Sequence, residues 1–377
     1  MIIEVDGVQY TNFTKASCKL RLDSLSSFFS FTAAADGPDR LPLRTGQECK
    51  VYVDDELVLT GHIESMLVDY TTGKHSITYA GRDKTADILD STLGAIDNIE
   101  GQELTMKAAI QRVISHLGLD VKVIDQVQPK LFKQDEDLLN PEIGDNAFEF
   151  IERIARKRQV LLTSDQYGNL VLARNDGTRA DGVIQHVIDS EDNNVLAATF
   201  AKNTSERFRL YKVASGLNIA AIADIGGDVE VLTDQQGDIE DGDIRKGRQM
   251  VVISETPSGS DTKERAIWEA DVRKARSTTY DCTVAGYRVG IDSGDIWRTN
   301  RLYAINDDFI GLDKPMLCNA VTFNLDEDGR RTDLELIGRD AYRLQLSPDL
   351  DTLGVLLSDA NPDTQVVSFG VLLSDAD

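Results

Sequence analysis

The sequence feature that most constrains the fold is a strand pattern that occurs twice. At residues 77–83 and again at residues 334–340, four strand-like residues with alternating side chains are followed by Gly-Arg-Asp. Alternation with a period of two is typical of a strand with one buried face. The recurrence predicts two similar β-domains in one chain, and a chance match of three residues is the alternative.

The spacing of apolar residues divides the chain into domains. Residues 1–97 contain short alternating runs separated by turns, such as Asp54-Asp55-Glu56, which predicts a small antiparallel β-barrel. Residues 98–180 mix helical and strand patterns and are predicted to form an α+β domain. A second, similar barrel is predicted for residues 181–346, followed by a C-terminal tail at residues 347–377. The expected fold class is therefore α+β, mainly β.

Three segments carry helical spacing. Apolar residues recur on one face between residues 104 and 117. A second helix is expected from about residue 148, with Asp145 or Asn146 capping its exposed amides. The third predicted helix spans residues 262–276 and has only a partly apolar face.

An acidic segment at residues 224–247 interrupts the second predicted barrel. It is rich in glycine and aspartate, and a segment of this composition has little apolar surface to bury. The sequence predicts a long, exposed and mobile loop that the fold does not need.

Charge and cysteine usage narrow the class of protein. The chain has 64 acidic and 40 basic residues and a formal net charge of −24, which argues against stable binding of nucleic acid or of an anionic membrane. No secretion signal or membrane-spanning run is recognisable, so synthesis in a reducing cytoplasm is expected. Cys18, Cys49, Cys282 and Cys318 lack CxxC spacing and are predicted to be buried, reduced thiols.

The sequence lacks the motifs of common enzyme classes. Its four histidines are isolated, without HxxxH or HExxH spacing, and neither a GxSxG elbow nor a P-loop occurs. Acidic pairs such as Glu149 with Glu152 are too frequent in this chain to indicate a glycosidase. Asp326-Glu327-Asp328-Gly329 lacks the other ligands of a calcium loop and is predicted to be a hairpin turn. No catalytic residue, cofactor or metal site is predicted.

Several segments resemble a known family. Residues 81–90, with the sequence GRDKTADILD, closely resemble the segment after the first barrel in the Mu-type phage tail proteins that form the baseplate hub. Residues 155–164 and residues 265–287 match less specifically, and together the matches span roughly residues 50–340. The acidic segment and the tail after Leu346 depart from the family pattern.

The resemblance implies a structural role in a contractile phage or prophage tail. It implies a homotrimeric ring, related in fold to the base of the type VI secretion spike, that joins the tail tube to a central membrane-puncturing spike. Contacts with baseplate wedge proteins and passage of DNA through an axial channel are expected with it. The protein would be made in the bacterial host cytoplasm and reside in the baseplate of the virion.

The Gly-Arg-Asp recurrences supply candidate assembly residues, Arg82, Asp83, Arg339 and Asp340. The arginine of such a motif can form an ion pair within the chain, or it can reach a carboxylate across a subunit boundary. Solvated turn charges are the plainer interpretation.

The tail contains a seven-residue repeat. Residues 354–360 and residues 370–376 both read GVLLSDA, and exposed apolar triplets of this kind invite aggregation unless a partner covers them. The repeats predict docking to the axial spike, and a disordered terminus is the alternative. The candidate docking residues are Val355, Leu356, Leu357, Val371, Leu372 and Leu373.

A carbohydrate- or receptor-binding β-protein at the tail tip is the second candidate function. Such a protein usually exposes aromatic side chains on loops. Trp268 lies in a predicted helix and Trp297 in a strand-like run, which does not favour this alternative.

Overall fold

The computed structural model is mainly β. It describes residues 1–34, 43–72, 74–96, 104–132, 141–215, 236–254, 259–290 and 293–343. Most of these residues lie in strands and only four helices are present among them, so the predicted α+β, mainly β class is confirmed.

The first group of strands occupies the N-terminal quarter of the chain. These strands are β1 (Ile2–Val5), β2 (Val8–Tyr10), β3 (Lys15–Arg21), β4 (Phe28–Ala34), β5 (Glu48–Val53), β6 (Glu56–Thr71) and β7 (Lys74–Asp83). The turn between β5 and β6 places Asp54 and Asp55 at positive φ angles of 46° and 67°, a conformation that aspartate tolerates better than most residues.

The central part of the described chain is an α+β unit. It comprises α1 (Ala86–Leu89), α2 (Met106–His116), β8 (Val123–Asp125), α3 (Ala147–Arg156), β9 (Leu161–Ser164) and β10 (Leu170–Ala173). Asn146 caps α3, because its side chain accepts a hydrogen bond from the backbone N–H of Glu149 at 3.1 Å. Helices α2 and α3 bury their apolar faces in a separate core with this small sheet.

The second group of strands carries an insertion. Its strands are β11 (Arg179–His186), β12 (Val195–Lys202), β16 (Thr278–Ala285), β17 (Arg288–Gly290), β18 (Ser293–Ile296), β19 (Leu302–Asp307), β20 (Leu312–Asp326) and β21 (Gly329–Gly338). The insertion between β12 and β16 comprises β13 (Leu210–Ser215), β14 (Gln236–Glu240), β15 (Gln249–Ser254) and α4 (Gly259–Arg276). Helix α4 contains the predicted helix at residues 262–276 and begins three residues before it.

Both groups follow one order of strands. The first runs β3-β4-β7-β6-β5-β1, and the second runs β12-β16-β21-β20-β19-β11. Every neighbouring pair is antiparallel in both groups, except that β11 pairs with β19 in parallel whereas β1 pairs with β5 antiparallel. The structure thus repeats a six-strand sheet unit within one chain.

The two sheet units are joined edge to edge. The second half of β20 pairs antiparallel with β3, with Phe323 opposite Cys18 and Asn324 opposite Ser17. Phe323 and Cys18 are fully buried in a single hydrophobic core to which both units contribute. Neither unit pairs its first strand with its last within the described ranges, so barrel closure stays a prediction.

Part of the predicted acidic loop is instead a strand. Residues 236–240 form β14, which pairs antiparallel with β13, and residues 216–235 lie outside the described residues. A Cβ atom on Gly237 would lie 2.5 Å from the backbone nitrogen of Lys263, so only glycine allows α4 to pack this closely. The prediction of a loop was wrong for residues 236–240, because their backbone pairs with β13. That the fold does not need this segment stays a prediction.

A buried ion pair holds the end of this segment. The guanidinium of Arg207 binds the carboxylate of Asp241 at 2.7 Å and that of Asp243 at 3.0 Å. The side chains of Arg207 and Asp241 are only 5% and 6% exposed. Each charge therefore depends on the other, because neither has much access to water.

We predict that Arg207→Ala lowers the free energy of unfolding by about 3–5 kcal/mol, because it leaves the Asp241 carboxylate buried without its counter-ion. Urea denaturation at fixed protein concentration measures this loss. Arg339→Ala is the matched control, because the pair of Arg339 with Asp340 is largely exposed and is worth less than about 1 kcal/mol. Equal losses in the two variants would show that the segment around Asp241 is not part of the folded core.

Candidate functional site

The Gly-Arg-Asp at the end of β7 lies where the first sheet unit meets the α+β unit. The Asp83 side chain is buried and accepts hydrogen bonds from the backbone N–H groups of Ser27 at 2.8 Å and Thr85 at 3.0 Å. The hydroxyl groups of Ser26, Thr85 and Ser164 also donate to it. Since Ser164 belongs to β9, this carboxylate links the α+β unit to the sheet.

The surroundings of Asp83 give it a structural role. Burial raises the pKa of the Asp83 carboxyl above its ordinary value, and hydrogen bonds from Ser164 and Thr85 oppose that rise. Gly81 permits the tight local packing, because a Cβ atom there would lie 1.9 Å from the carbonyl oxygen of His62. The Asp83 carboxyl group is therefore enclosed by its own chain and does not face a partner.

Arg82 forms ion pairs within its own chain. Its guanidinium binds both carboxylate oxygens of Glu64 at 2.8 Å and both oxygens of Asp90, at 2.5 Å and 3.3 Å. Hydrogen bonding to Arg82 lowers the pKa of Asp90. In the single chain, Arg82 thus forms ion pairs within its own chain, as the first of the two predicted roles requires. Its predicted contact across a subunit boundary stays a prediction.

The second Gly-Arg-Asp lies in a different setting. Arg339 and Asp340 follow the end of β21 in a turn, where their side chains are largely exposed and lie 3.4 Å apart. The β6–β7 hairpin and the β20–β21 hairpin each contain a β-bulge, and Gly81 and Leu336 hold the same position relative to it. Gly338 comes two residues after Leu336, so the two Gly-Arg-Asp motifs are two residues out of register. The recurrence pointed to a real repeat of the sheet, but its residues are not structurally equivalent.

The candidate docking residues of the tail lie outside the described residues. They are Val355, Leu356, Leu357, Val371, Leu372 and Leu373. Their role in partner docking stays a prediction.

Sequence reasoning missed two exposed strand segments. One is residues 65–71 of β6, here called the β6 extension, and the other is β12. The extension exposes Leu67 and Tyr70, with 58% and 75% of their surface accessible, and β12 exposes Leu196 at 59%. Within the described chain, each segment pairs with a neighbouring strand on one side only. Alternating patterns identify strands but do not show which of them lie at an edge, so the sequence held no direct signal.

The remaining polar chemistry gives no sign of a reactive centre in the described ranges. No cluster of His, Cys, Asp or Glu there has the arrangement of a metal site. The four cysteines are free and buried, as predicted, and burial raises the pKa of each thiol, to about 12 for Cys49. None of the described helices is both long and apolar enough to span a bilayer.

Family models match three parts of the chain. Residues 1–83 match "Mu phage baseplate assembly protein GpP-like, N-terminal", and residues 85–174 match "Baseplate hub protein gp44-like, second domain". Residues 258–345 match "Mu phage baseplate assembly protein GpP, fourth domain". Together the matches cover more than half of the chain.

Individual relatives extend over nearly the whole sequence. The baseplate hub protein gp44 of Escherichia phage Mu is 24% identical over 353 residues, covering 92% of this chain and 90% of the relative. The 43 kDa tail protein of prophage MuSo2 from Shewanella oneidensis has a TM-score of 0.72 at 26% identity, with coverage of 91% and 99%. A tail protein from Neisseria meningitidis MC58 shares the fold, with a TM-score of 0.75 at 16% identity and coverage of 90% and 97%.

We predict that Asp83→Asn destabilises the protein whereas Asp340→Asn does not. An amide at position 83 loses one acceptor oxygen and turns N–H groups toward buried donors, which costs about 1–3 kcal/mol for each donor left unsatisfied. Urea denaturation at pH 7 compares the two variants. Similar midpoints would contradict the structural role assigned to Asp83.

Proposed function

We propose that the chain, which belongs to the family of Mu-type baseplate hub proteins, builds that hub as a ring of three copies around the tail axis. The three family models and the Mu relative give it a structural role in the phage tail baseplate rather than an enzymatic one. The observation that carries the ring is the repeat of one six-strand order within the chain.

A repeat within the chain suits a ring that binds a partner of six-fold symmetry at one end and a partner of three-fold symmetry at the other. Three chains with two similar sheet units each present six similar sheets around an axis, although the true symmetry is three-fold. A six-fold tail tube can dock on such a ring at one end, and a three-fold spike at the other. We therefore assign the tube and the central spike as axial partners and wedge proteins as peripheral partners.

Charge supports passage of DNA through the ring without binding. Each chain carries a formal charge of −24, and a trimer carries three times as much. Part of this charge along an axial channel would repel the phosphates of duplex DNA. Tight binding of duplex DNA at physiological salt would contradict this arrangement.

The alternative function, a carbohydrate or receptor binder, gains no support from the aromatic residues that sequence analysis considered. Trp297 is only 1% exposed and packs against Tyr303, with ring centroids 4.9 Å apart. Trp268 is also buried, on α4. Neither indole is available to stack on a sugar.

We predict a homotrimer in solution. Light scattering coupled to gel filtration should give three times the chain mass of 41.6 kDa, and negative-stain images should show rings with an axial hole. A stable monomer at micromolar concentration would refute the ring. A monomer whose melting temperature rises with added sugars would instead favour the carbohydrate binder.

We also predict that a truncation ending at Leu346 leaves a folded trimer that fails to attach the spike. The repeated apolar segments after this residue would otherwise be exposed, so a partner is expected to cover them. Baseplate assembly with the truncated and the full chain tests this role. If the truncated chain still gives complete, infectious particles, the tail does not dock the spike.

A further inference from the structure

The strand pairing that joins the two sheet units within one chain is here called the completed joint. The chain also contains two strand edges that are equivalent to the two sides of this joint but have no partner among the described residues. In the completed joint, the second half of β20 pairs with β3. The β6 extension holds the position in the first unit that this half of β20 holds in the second unit. Strand β12 holds the position that β3 holds in the first unit.

The equivalence of β6 and β20 follows from their hairpins. Each strand forms a long hairpin with the next strand, and the register of each hairpin shifts at a β-bulge, after Ile63 in β6 and after Cys318 in β20. Val68 and Phe323 each lie five residues beyond these positions and are therefore counterparts. On the side occupied by β3 in the completed joint, the β6 extension has no partner strand among the described residues.

The equivalence of β12 and β3 follows from the strands beside them. Cys18 of β3 lies opposite Phe29 of β4, and Phe200 of β12 lies opposite Tyr280 of β16. Phe29 pairs with Gly81 of β7, and Tyr280 pairs with Leu336 of β21. Gly81 and Leu336 are equivalent, because each lies opposite the last residue before the bulge. Phe200 is therefore the counterpart of Cys18.

We propose that β12 of one copy pairs antiparallel with the β6 extension of the next copy, in the register of the completed joint. Because Phe323 lies opposite Cys18, Val68 would lie opposite Phe200 of the neighbouring copy, and Asp69 opposite its Thr199. The number of copies rests on the proposed function, whereas the pairing and its register rest on the repeat within the chain.

The side chains suit this register on the inner face. Val68 and Phe200 are 43% and 39% exposed in the single chain, while their counterparts Phe323 and Cys18 are fully buried. Pairing would remove the exposed apolar surface of the first two residues from water, as it does for the second two. Tyr70, which is 75% exposed, would be covered by the same strand.

The outer face has a matching polar contact. In the completed joint the hydroxyl of Ser17 donates a hydrogen bond to the side-chain oxygen of Asn324 at 3.0 Å. The counterparts of these residues are Thr199 and Asp69, again a hydroxyl donor opposite an acceptor oxygen. The ion pairs of Arg82 with Glu64 hold the start of the extension in place.

A second copy of the chain is the occupant that these edges fit. An exposed strand edge leaves backbone N–H and C=O groups available for pairing. Both edges occur in the same chain and differ from each other, so the contact is head to tail and can repeat around a ring. The completed joint shows that these two kinds of edge pair with each other.

Cysteine cross-linking tests the register. Asp69→Cys and Thr199→Cys are made as separate single variants, mixed after reversible disassembly, and oxidised mildly. Directly opposite residues of paired strands lie within disulfide range, so the mixture should give covalent dimers, while each single variant alone should give none. The double variant should give covalent trimers on a non-reducing gel. The native cysteines are buried and supply an unreactive background.

An off-register pair controls for chance collisions. Leu67→Cys mixed with Thr199→Cys places the sulfurs on one face but two residues apart, which is beyond disulfide range. A non-covalent trimer that cross-links equally in both mixtures, or only in the off-register one, overturns the proposed pairing and leaves the hub function intact. A monomer refutes the joint and the ring together.

A charge in the joint provides a measurement that does not depend on disulfide formation. Phe200→Glu should convert the trimer to a monomer at micromolar concentration with its fold retained, because Phe200 is partly exposed in the single chain. Phe309→Glu is the matched control, since Phe309 is 79% exposed in the turn between β19 and β20, which is part of neither β12 nor the β6 extension. If Phe200→Glu remains as trimeric as the control, β12 does not form the joint.

Discussion

The antiparallel pairing of β20 with β3 is the interaction on which the rest of the structure depends. It joins the two sheet units into one sheet through strands whose facing residues Ser17 and Asn324 are 307 positions apart in sequence. Phe323 of β20 and Cys18 of β3 lie opposite each other and are buried in a hydrophobic core to which both units contribute. The salt bridges of Lys19 and Arg21 with Glu335 extend the pairing across the outer face. Without this pairing each unit would present a long open edge to solvent, which natural sheets rarely leave uncovered.

The same join explains how much of the fold could be predicted from sequence. Hairpins and helices were predictable because their signals are local: a turn such as Asp54-Asp55, or the cap at Asn146. The strand β14 was not, because five residues of Gln-Gly-Asp-Ile-Glu carry no strand pattern of their own. They become a strand by pairing with β13 and by fitting Gly237 beneath α4, and both contacts are distant in sequence.

The candidate assembly residues show a second limit of sequence reasoning. The two Gly-Arg-Asp motifs correctly indicated a repeated sheet, yet the bulges place them two residues out of register. Sequence identity marked the repeat, whereas hydrogen-bond register determined which residues correspond. Asp83 is a buried link between units and Asp340 an exposed turn residue, so the same letters have different physical roles. The exposed edges could be found only once the pairing of every described strand was known.

The two sheet units differ in what they carry, and this difference bears on the proposed ring. Only six residues, 22–27, connect β3 to β4, whereas β12 is connected to β16 through a second sheet and α4. Six similar sheets would therefore surround the axis, while the inserted sheet and helix would occur only three times. A partner that contacts the sheets alone would meet nearly six-fold symmetry, and one that contacts the insertions would meet strict three-fold symmetry. One chain can thus present both symmetries, because its repeated edges set the first and its single insertion sets the second.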